Sequence, residues 1–214
     1  MNAPEITNQN QEKNVIGDLL KYAELFKKAE KLYREDEEQV QSWTTKKDRD
    51  AAYFLTMIKK GTMADRVNAL QMLIGKSPTR ALGYLKQLMT LARQKNRKQA
   101  ESAYFGLKEV FTKHLLQDNK KLTSFQHNAS INGVKESEIA NFDLIEAYYD
   151  HCIKELYREY VNEILQSLTK DDLEYFRKQA LTILVDLISS KPEIEELILS
   201  IVVNKLGDLS KKVQ

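Results

Sequence analysis

The sequence predicts an all-α protein, a HEAT- or armadillo-like α-solenoid of roughly eight or nine helices. Apolar residues recur at spacings of three and four along most of the chain, which is the period of an amphipathic helix. Only seven glycines and three prolines occur in 214 residues, too few for an all-β fold, whose short strands need frequent turns. No strict sequence period relates the predicted units, so the repeats are expected to be degenerate.

The first two predicted helices are defined by their apolar faces and by a glycine that ends the second. The first covers about residues 18–40 and finishes in the charged run REDEE. We expect Trp43, which follows it, to anchor this helix on the rest of the array. The second covers residues 47–60, and Gly61 ends it because glycine suits the backbone at the end of a helix.

The next two helices are predicted from residues that can cap a helix. Thr62 and Asp65 have the spacing of a capping box, which predicts that a third helix begins there. Ser77 followed by Pro78 predicts an N-cap with proline in the first helical position. A fourth helix then continues over residues 81–92.

The middle of the chain carries two more long apolar faces and one interruption. Apolar positions at helical spacing cover residues 100–115 and residues 145–164. Between these faces the period is lost and polar residues with a glycine dominate. Residues near 120–137 are therefore predicted to form a flexible loop.

Two further helix starts are predicted towards the C-terminus. Thr169 and Asp172 have capping-box spacing before an apolar face over residues 180–188. Pro192 starts the last predicted helix, which ends at Gly207. The residues after it look like the start of another unit whose helices do not follow, so we expect a fragment of a longer protein.

The predicted domain organisation is simple. Residues 1–14 are polar and are expected to form a disordered tail, and residues 15–214 are expected to form one helical repeat domain. The longest apolar stretch, residues 197–203, is too short to span a bilayer, so we expect no membrane contact. The single cysteine, Cys152, excludes an intramolecular disulfide and fits a reducing compartment.

The formal net charge of +2 conceals a strong division along the chain. Residues 45–127 carry 17 basic and six acidic residues, a net charge of +11. Residues 1–44 have a net charge of −3, and residues 128–214 have one of −6. Because partners meet local potentials, the middle section is suited to phosphates, or it docks against the acidic flanks of its own chain.

A basic run in this middle section is the candidate RNA-binding site. It consists of Arg93, Lys95, Arg97 and Lys98, joined by Lys46, Lys47, Arg49, Lys120 and Lys121. Basic residues close together neutralise phosphates and release counterions, and structured RNA is recognised largely through its shape and backbone. The alternative is that these residues lie in solvated, lysine-rich turns. The sequence leaves open whether the clusters share one face.

Four tyrosines crowd the long helix predicted over residues 145–164. They are Tyr148, Tyr149, Tyr157 and Tyr160. Four tyrosines on one helix are not all expected to face inward, so they are a candidate protein interface, where tyrosine is enriched. The alternative is that they lie at the rim of the core with their hydroxyl groups in water.

Motifs for catalysis or cofactor binding are absent from the sequence. No glycine spacing gives a phosphate-binding loop or a dinucleotide fingerprint, and no Cys/His cluster has zinc spacing. His151 and Cys152 are adjacent, but neighbours on a helix point about 100° apart, so Cys152 is expected to be a buried structural thiol. Glu193, Glu195 and Glu196 suit the first turn of a helix. We therefore expect no enzyme activity, cofactor, metal or small-molecule substrate.

Several short segments occur in a characteristic order. They are GTMADRVNAL (61–70) followed by Ser77-Pro78, RQKNRK (93–98) with Ala100, Leu107-Lys108 and Phe111, DDLEYFRKQAL (171–181), Lys191-Pro192-Glu193, and VNKLGD (203–208). In this order and spacing they resemble the helical-repeat region of the CCAAT-binding-factor, or nucleolar complex, family. The resemblance covers about residues 48–212.

The resemblance implies a function as well as a fold. The family consists of eukaryotic assembly factors for the large ribosomal subunit, which are longer proteins with a further domain downstream. By resemblance we expect a non-catalytic scaffold in the nucleus and nucleolus that acts in rRNA processing. Its implied partners are a second nucleolar complex protein, as a heterodimer, and pre-ribosomal RNA or particles. The alternative is a protein-only α-solenoid adaptor without a direct RNA contact.

Overall fold

Every regular element within residues 5–205 is a helix. The computed structural model describes the backbone of residues 5–205 and the side chains of residues 21–205. The α-helices span Glu5–Lys47 (α1), Arg49–Lys60 (α2), Met63–Lys76 (α3), Leu82–Ala92 (α4), Arg97–Val110 (α5), Asn141–Glu159 (α6), Gln166–Leu168 (α7), Glu174–Ser190 (α8) and Glu195–Val203 (α9). The all-α prediction is confirmed for these residues. The arrangement is consistent with an α-solenoid, and its HEAT or armadillo character stays a prediction.

Short turns of other helix types join or extend these helices. α5 continues into a π-helical turn at Phe111–Leu115, and α6 continues through a π-helical turn at Tyr160–Leu165 into α7. The 3₁₀ turns span Pro78–Arg80, Phe125–His127 and Glu136–Glu138. Residues 120–137, predicted as a loop, hold no α-helix, and the flexibility of this loop stays a prediction.

Side-chain caps fix where several helices begin. Asp48 accepts hydrogen bonds from two N–H groups in the first turn of α2, and Asn96 accepts one in the first turn of α5. Thr62 and Asp65 form the predicted capping box, in which each side chain accepts the backbone N–H of the other residue. Gly61 ends α2 as predicted.

The capping box predicted at Thr169 and Asp172 is wrong. The Thr169 hydroxyl donates to the carbonyl three residues earlier, at 2.7 Å, so it closes the preceding helix instead of opening the next. α8 begins after an Asx turn, in which the Asp171 carboxylate accepts the N–H of Leu173 at 3.0 Å. Local spacing therefore identified a residue near the helix boundary, but its hydroxyl donates to the preceding helix and caps no N–H of the next.

Two other helices begin later than predicted. Pro78 begins a 3₁₀ turn, and α4 follows only from Leu82. α9 begins at Glu195, after Ile194, whose φ of 48° is an uncommon left-handed conformation for a β-branched residue. Glu193 therefore precedes the first turn of α9, and it is buried.

The remaining boundary predictions concern the two ends of the chain. α1 is longer than the helix predicted over residues 18–40, since it runs from Glu5 to Lys47. Residues 1–4 of the predicted tail and the helix end predicted at Gly207 lie outside the described residues. The division of the chain at residue 14 stays a prediction.

The chain forms two compact units, and the first has an aromatic core. This first unit consists of the residues up to Asp36 together with Thr123–His151. The ring of Phe26 meets that of Phe125 edge-on, with 5.1 Å between centroids, and that of Tyr148 at 5.2 Å. Each such pair adds about 0.5–1.5 kcal/mol to the stabilisation from burial alone.

The second unit holds Glu37–Leu122 and the chain from Cys152 onward. α3 and α5 run parallel in it, since Gln71 donates to Glu109 at 2.9 Å and, one turn earlier on α3, Val67 lies against Gly106. α2 and α4 flank α3 in the chain and return in the opposite direction through short turns. The fully buried side chains of this unit include Leu70, Ile74, Leu85, Leu88, Met89, Leu107 and Phe111.

α8 runs parallel to α5 in the same unit. Tyr175, near the start of α8, donates a hydrogen bond to Glu101, near the start of α5. Asp186, near the end of α8, pairs with Lys108, near the end of α5, at 2.7 Å. The sections before and after residue 122 therefore pack side by side in this unit, and their charged side chains meet.

Candidate nucleic-acid interface

The second unit has two ends, and they separate the predicted basic clusters. At one end, called end A here, α2 and α4 begin and α3 and α5 finish, and Lys76 at the end of α3 pairs with Asp48 at the start of α2. At the opposite end, end B, α4 finishes and α5 begins. α3 has 14 residues, so the two ends lie about 21 Å apart at a rise of 1.5 Å per residue.

The turn at end B holds four of the candidate RNA-binding residues, and Arg93 is the first. Its Nη2 lies 2.7 Å from Oε2 of Glu159 and 3.0 Å from Oε2 of Glu163. The hydrogen bond with Glu159 is the main reason why the pKa of the Arg93 guanidinium is raised above its ordinary value. Two carboxylates thus face one guanidinium, so this arginine adds no local excess of positive charge.

Arg97 begins α5 at the same end and is also held by acidic neighbours. Its Nε lies 3.1 Å from Oδ2 of Asp171, and its Nη2 donates to the Ser167 hydroxyl at 3.3 Å. The other two residues of this turn, Lys95 and Lys98, are exposed. The turn therefore combines two arginines paired with carboxylates and two lysines that face solvent.

A second cluster lies at end A, where α1 meets α2. Lys46, Lys47 and Arg49 are all exposed there. The Nζ of Lys47 lies 4.8 Å from the centre of the Trp43 ring, a cation–π contact. Trp43 is 60% exposed, which contradicts the prediction that it anchors α1 on the rest of the array. Asp48, which lies between Lys47 and Arg49 in the chain, accepts a hydrogen bond from Lys76. This hydrogen bond is the main reason why the pKa of the Asp48 carboxyl group is lowered.

Lys120 and Lys121 follow the π-helical turn that extends α5, so they lie on the end A side. Lys121 pairs with Glu195 at 2.7 Å, and this hydrogen bond is the main cause of its raised pKa. Lys120 is exposed. The nine candidate residues thus divide between the two ends, and the run at Arg93–Lys98 lies apart from the other five.

The acidic section of the chain neutralises part of the basic section. Arg93, Arg97, Lys108 and Lys121 pair with carboxylates between 66 and 78 residues further along the chain. These contacts are of the kind expected by the interpretation in which residues 45–127 dock against an acidic flank. From the sequence, only the opposite net charges of the two sections could be read. The individual pairs could not be predicted, because the paired residues lie too far apart in the chain for a spacing rule.

The four candidate interface tyrosines are all buried. Tyr148 and Tyr149 are 6% and 8% exposed, and Tyr157 and Tyr160 are 0% exposed. The first two contact the ring of Tyr33 in the first unit, at 5.5 and 6.3 Å between centroids. The other two contact Phe111 in the second unit, at 5.0 and 5.7 Å. The expectation that four tyrosines could not all be buried is wrong, because they pack in two different cores.

The carboxylate of Glu193 is buried and has a structural role that the sequence did not predict. Oε2 of Glu193 accepts the N–H of Leu122 at 2.8 Å, and its Oε1 lies 3.6 Å from Nζ of Lys154. Lys154 also donates to the carbonyl of Leu122 at 2.6 Å. This network ties the segment that follows α5 to the turn before α9, and its members are too far apart in sequence for a motif to reveal it.

An apolar cavity of about 460 Å³ lies in the first unit. Aromatic rings dominate its lining, which includes Tyr22, Phe26, Phe125 and His151. The Tyr22 hydroxyl donates to Asn132 at 3.1 Å, and the His151 ring meets Phe26 edge-on at 5.3 Å. The lining resembles a pocket for an apolar group more than a set of acid and base groups.

Three further findings bear on chemistry and membranes. Cys152 is half-buried, whereas the sequence predicted a buried structural thiol. Across residues 21–205, no three His, Cys, Asp or Glu side chains gather as a possible metal site. Of the helices within residues 5–205, none combines the length and the apolar character that crossing a membrane requires.

Several known proteins match most of this chain. CCAAT/enhancer-binding protein zeta from Mus musculus is 32% identical over 192 residues, which cover 86% of this chain and 18% of that protein. Ribosome biogenesis protein NOC1 from Chaetomium thermophilum is 28% identical over 206 residues, 89% of this chain and 20% of that protein. Nucleolar complex protein 1 from Drosophila melanogaster is 28% identical over 170 residues, 77% of this chain and 14% of that protein.

The matched region is a small part of these relatives. The chain spans about a fifth of their length or less, between 14% and 20%. A comparison with protein-family models finds no match. The similarity therefore concerns the helical region described above and leaves most of each relative outside the comparison.

Proposed function

We propose that this chain, which belongs to the CCAAT-binding-factor and nucleolar complex family, is a non-catalytic scaffold for assembly of large-subunit ribosomal precursors. The observation that carries the proposal is its similarity, over most of its length, to proteins named ribosome biogenesis protein NOC1 and nucleolar complex protein 1. The family resemblance derived from the sequence segments is confirmed. A helical array supports a scaffold role, because stacked helices present extended surfaces to partners.

The proposed place of action is the nucleolus, within the nucleus, and the proposed process is rRNA processing on precursors of the large subunit. The names of the relatives support this proposal. The proposed partners are a second nucleolar complex protein, which forms a heterodimer with this protein, and pre-ribosomal particles. The packing of the helices around apolar and aromatic cores supports a role in binding, since it supplies a rigid surface.

Co-sedimentation tests the scaffold. We expect the tagged full chain, expressed in eukaryotic cells, to collect in the nucleolus and to sediment with large-subunit precursors. Affinity purification is expected to recover precursor rRNA and a nucleolar partner protein. A chain that sediments free of precursors and is found outside the nucleus would contradict the proposal.

A direct RNA contact at end B is the finer part of the proposal. Lys95 and Lys98 carry it, because both are exposed, Lys95 in the turn between α4 and α5 and Lys98 in the first turn of α5. Arg93 and Arg97 hold the turn to the later helices through their ion pairs with Glu159 and Asp171. An ammonium group at a helix end meets a phosphate without competing with a pre-existing ion pair.

Charge reversal of the two exposed lysines tests this contact without disturbing the paired arginines. For Lys95→Glu/Lys98→Glu we expect weaker binding to precursor RNA, and a slope of log affinity against log salt that is smaller by about 1–2. The matched control is Lys21→Glu/Lys28→Glu, which makes the same change in charge at two exposed positions of α1. Equal loss of affinity in both variants, or no loss in either, would remove the RNA contact from this turn.

The ion pairs of Arg93 and Arg97 favour a second candidate, a protein-only adaptor. In this alternative the basic section serves mainly to dock the acidic section of the same chain, and the partner is a protein alone. The two candidates differ in a nuclease experiment. Recovery of the partner protein after complete RNA digestion, together with no measurable RNA binding by the purified chain, would favour the adaptor.

A further inference from the structure

The junction of α1 and α2 exposes two large aromatic side chains among basic residues. Trp43 is 60% exposed and Tyr53 is 56% exposed. Lys46, Lys47 and Arg49 lie between them in the chain and are exposed as well. We call these five residues the α1–α2 corner; all of them belong to the second unit.

This exposure is unusual for the residue types involved. Tryptophan is highly buried on average, because its ring offers more apolar surface than almost any other side chain. The ring of Trp43 is not buried here, and the ammonium group of Lys47 lies 4.8 Å from its centre. On α2, the ring of Tyr53 contacts that of Phe54 at 5.9 Å, and Nζ of Lys76 lies 5.5 Å from the centre of the Phe54 ring. The junction therefore holds two contacts between an ammonium group and an aromatic ring.

The charge of the corner is positive. Asp48 lies in its middle, but its carboxylate caps α2 and pairs with Lys76, so its charge is compensated locally. Asp50 is the other acidic residue of this stretch, against Lys46, Lys47 and Arg49. An anionic ligand that also offers flat apolar faces would match both properties of the surface.

We propose that the α1–α2 corner is a stacking platform for a single-stranded segment of RNA. Unpaired bases stack on exposed aromatic rings, and nearby Lys and Arg neutralise the phosphates between them, which is how proteins hold single strands without reading their sequence. The inference rests on the proposed function, in which the RNA would come from a ribosomal precursor.

Two observations favour single-stranded RNA over other occupants. A base-paired helix hides its base faces, so it would leave the Trp43 and Tyr53 rings without stacking partners. A protein partner is disfavoured by the surrounding lysines, because lysine is depleted from the cores of protein interfaces. The two rings are ten residues apart across two helix ends, so their Cα atoms lie within about 20 Å, a span that a few nucleotides can bridge.

The corner differs from the turn at end B both in its basic side chains and in its aromatic rings. At end B the two arginines already bind carboxylates, and the nearby Tyr104 ring is buried in the core. At the corner the aromatic rings are exposed. The two sites are also about 21 Å apart along α3, so their contributions can be measured separately.

Intrinsic fluorescence tests the platform directly, since Trp43 is the only tryptophan of the sequence. We expect a short single-stranded RNA without self-complementarity to quench the emission of Trp43 in the full chain. The midpoint of quenching should coincide with the dissociation constant from anisotropy of the same labelled RNA. A duplex of matching sequence should leave the emission unchanged.

Variants separate stacking from charge. Trp43→Ala and Tyr53→Ala are each expected to weaken single-strand binding about tenfold, whereas Trp43→Phe should retain most of the affinity because it keeps an aromatic ring. Phe142→Ala is the control, since Phe142 is 65% exposed in the first unit. Neutralising Lys46, Lys47 and Arg49 with glutamine should reduce the salt slope by about 2.

The outcomes distinguish this inference from the proposed function. Single-strand binding with unchanged Trp43 emission, or with wild-type affinity in Trp43→Ala, overturns the platform and leaves the scaffold untouched. Equal quenching by the duplex overturns the preference for single strands. If the chain binds no RNA but an acidic peptide quenches Trp43, the corner is a protein site. Failure of the scaffold itself would appear in co-sedimentation, which does not depend on Trp43.

Discussion

Tyr157 and Tyr160 lie one turn apart and are both fully buried, but their hydroxyl groups differ. The Tyr160 hydroxyl donates to the carbonyl of Tyr104 at 2.7 Å. The Tyr157 hydroxyl has no hydrogen-bond partner among the residues that the structure describes. Burial is the main cause of the raised pKa of both phenols, with the Glu193 carboxylate adding to that of Tyr157. Both side chains therefore remain uncharged at neutral pH.

Removing the two hydroxyl groups should have different effects on stability. Tyr160→Phe is expected to lower the free energy of unfolding by about 1 kcal/mol, because the Tyr104 carbonyl loses its donor in a buried site. Tyr157→Phe removes a buried hydroxyl without a partner, so it should leave stability unchanged or raise it. Urea unfolding at neutral pH measures both. Equal losses in the two variants would contradict the assigned hydrogen bond.

At the scale of elements, the parallel pair α3 and α5 depends on one close approach. A Cβ atom on Gly106 of α5 would lie 2.8 Å from Cγ1 of Val67 on α3. Valine is held in few rotamers within a helix, so it has little freedom to move aside. Gly83 on α4 is a contrast, because a Cβ atom there would meet its nearest neighbour, Glu37, at an ordinary 3.6 Å.

The two glycines therefore predict opposite effects of the same substitution. Gly106→Ala should lower the free energy of unfolding by about 1–3 kcal/mol, because it forces α3 and α5 apart or strains Val67. Gly83→Ala should raise it by about 0.5–1 kcal/mol, because alanine loses less conformational freedom in a helix. Thermal and urea unfolding would both report the difference. A stabilising Gly106→Ala would show that the helices are not in such close contact.

Helix boundaries were predictable where the capping groups are local. The capping box at Thr62 and Asp65 and the end of α2 at Gly61 each involve residues within one turn, so their spacing in the sequence is sufficient. The start of α8 was mispredicted because a threonine hydroxyl can either accept an N–H of the next helix or donate to a carbonyl of the preceding one, and the sequence does not rank these two bonds. Ile194 has a left-handed backbone that no local rule for a β-branched residue predicts.

At the scale of the molecule, ion pairs in the second unit join sections of opposite sign. Arg93 lies between Glu159 and Glu163, which are one turn apart, and its side chain is 42% exposed. An isolated surface pair contributes only about 0.2–1 kcal/mol, because water screens the attraction. The ion pairs of Arg93 nevertheless link parts of the second unit that are far apart in the chain.

A charge-swap cycle measures this coupling. Arg93→Glu should lower the free energy of unfolding by about 1 kcal/mol, since it places a third carboxylate beside two others. Combining it with Glu159→Arg should recover part of the loss, with a coupling energy of about 0.5–1 kcal/mol at low salt. The coupling should shrink in 1 M salt, where the screening length is only about 3 Å. Lys95→Glu is the exposed control; a coupling of zero at low salt would contradict the pairing.

The sequence predicted which basic residues form the candidate RNA-binding site, but not where they lie in the fold. The sequence identified the nine basic residues and their excess over acidic ones. It did not predict that the clusters occupy opposite ends of α3, nor that Arg93 and Arg97 are paired with carboxylates. Both facts depend on which helices lie side by side. Side-chain periodicity describes one helix at a time, so it does not contain that information.

The sequence by itself determined the all-α class, most helix positions, several caps and the family, because these follow from local spacing and from ordered short segments. Only the tertiary structure decided which charges are neutralised and which aromatic rings are exposed. Four tyrosines expected in part at the surface are buried, and the one tryptophan, expected to anchor α1 on the array, is exposed. The physical reason is that burial depends on the partner packed against a helix, and that partner lies far away in the chain.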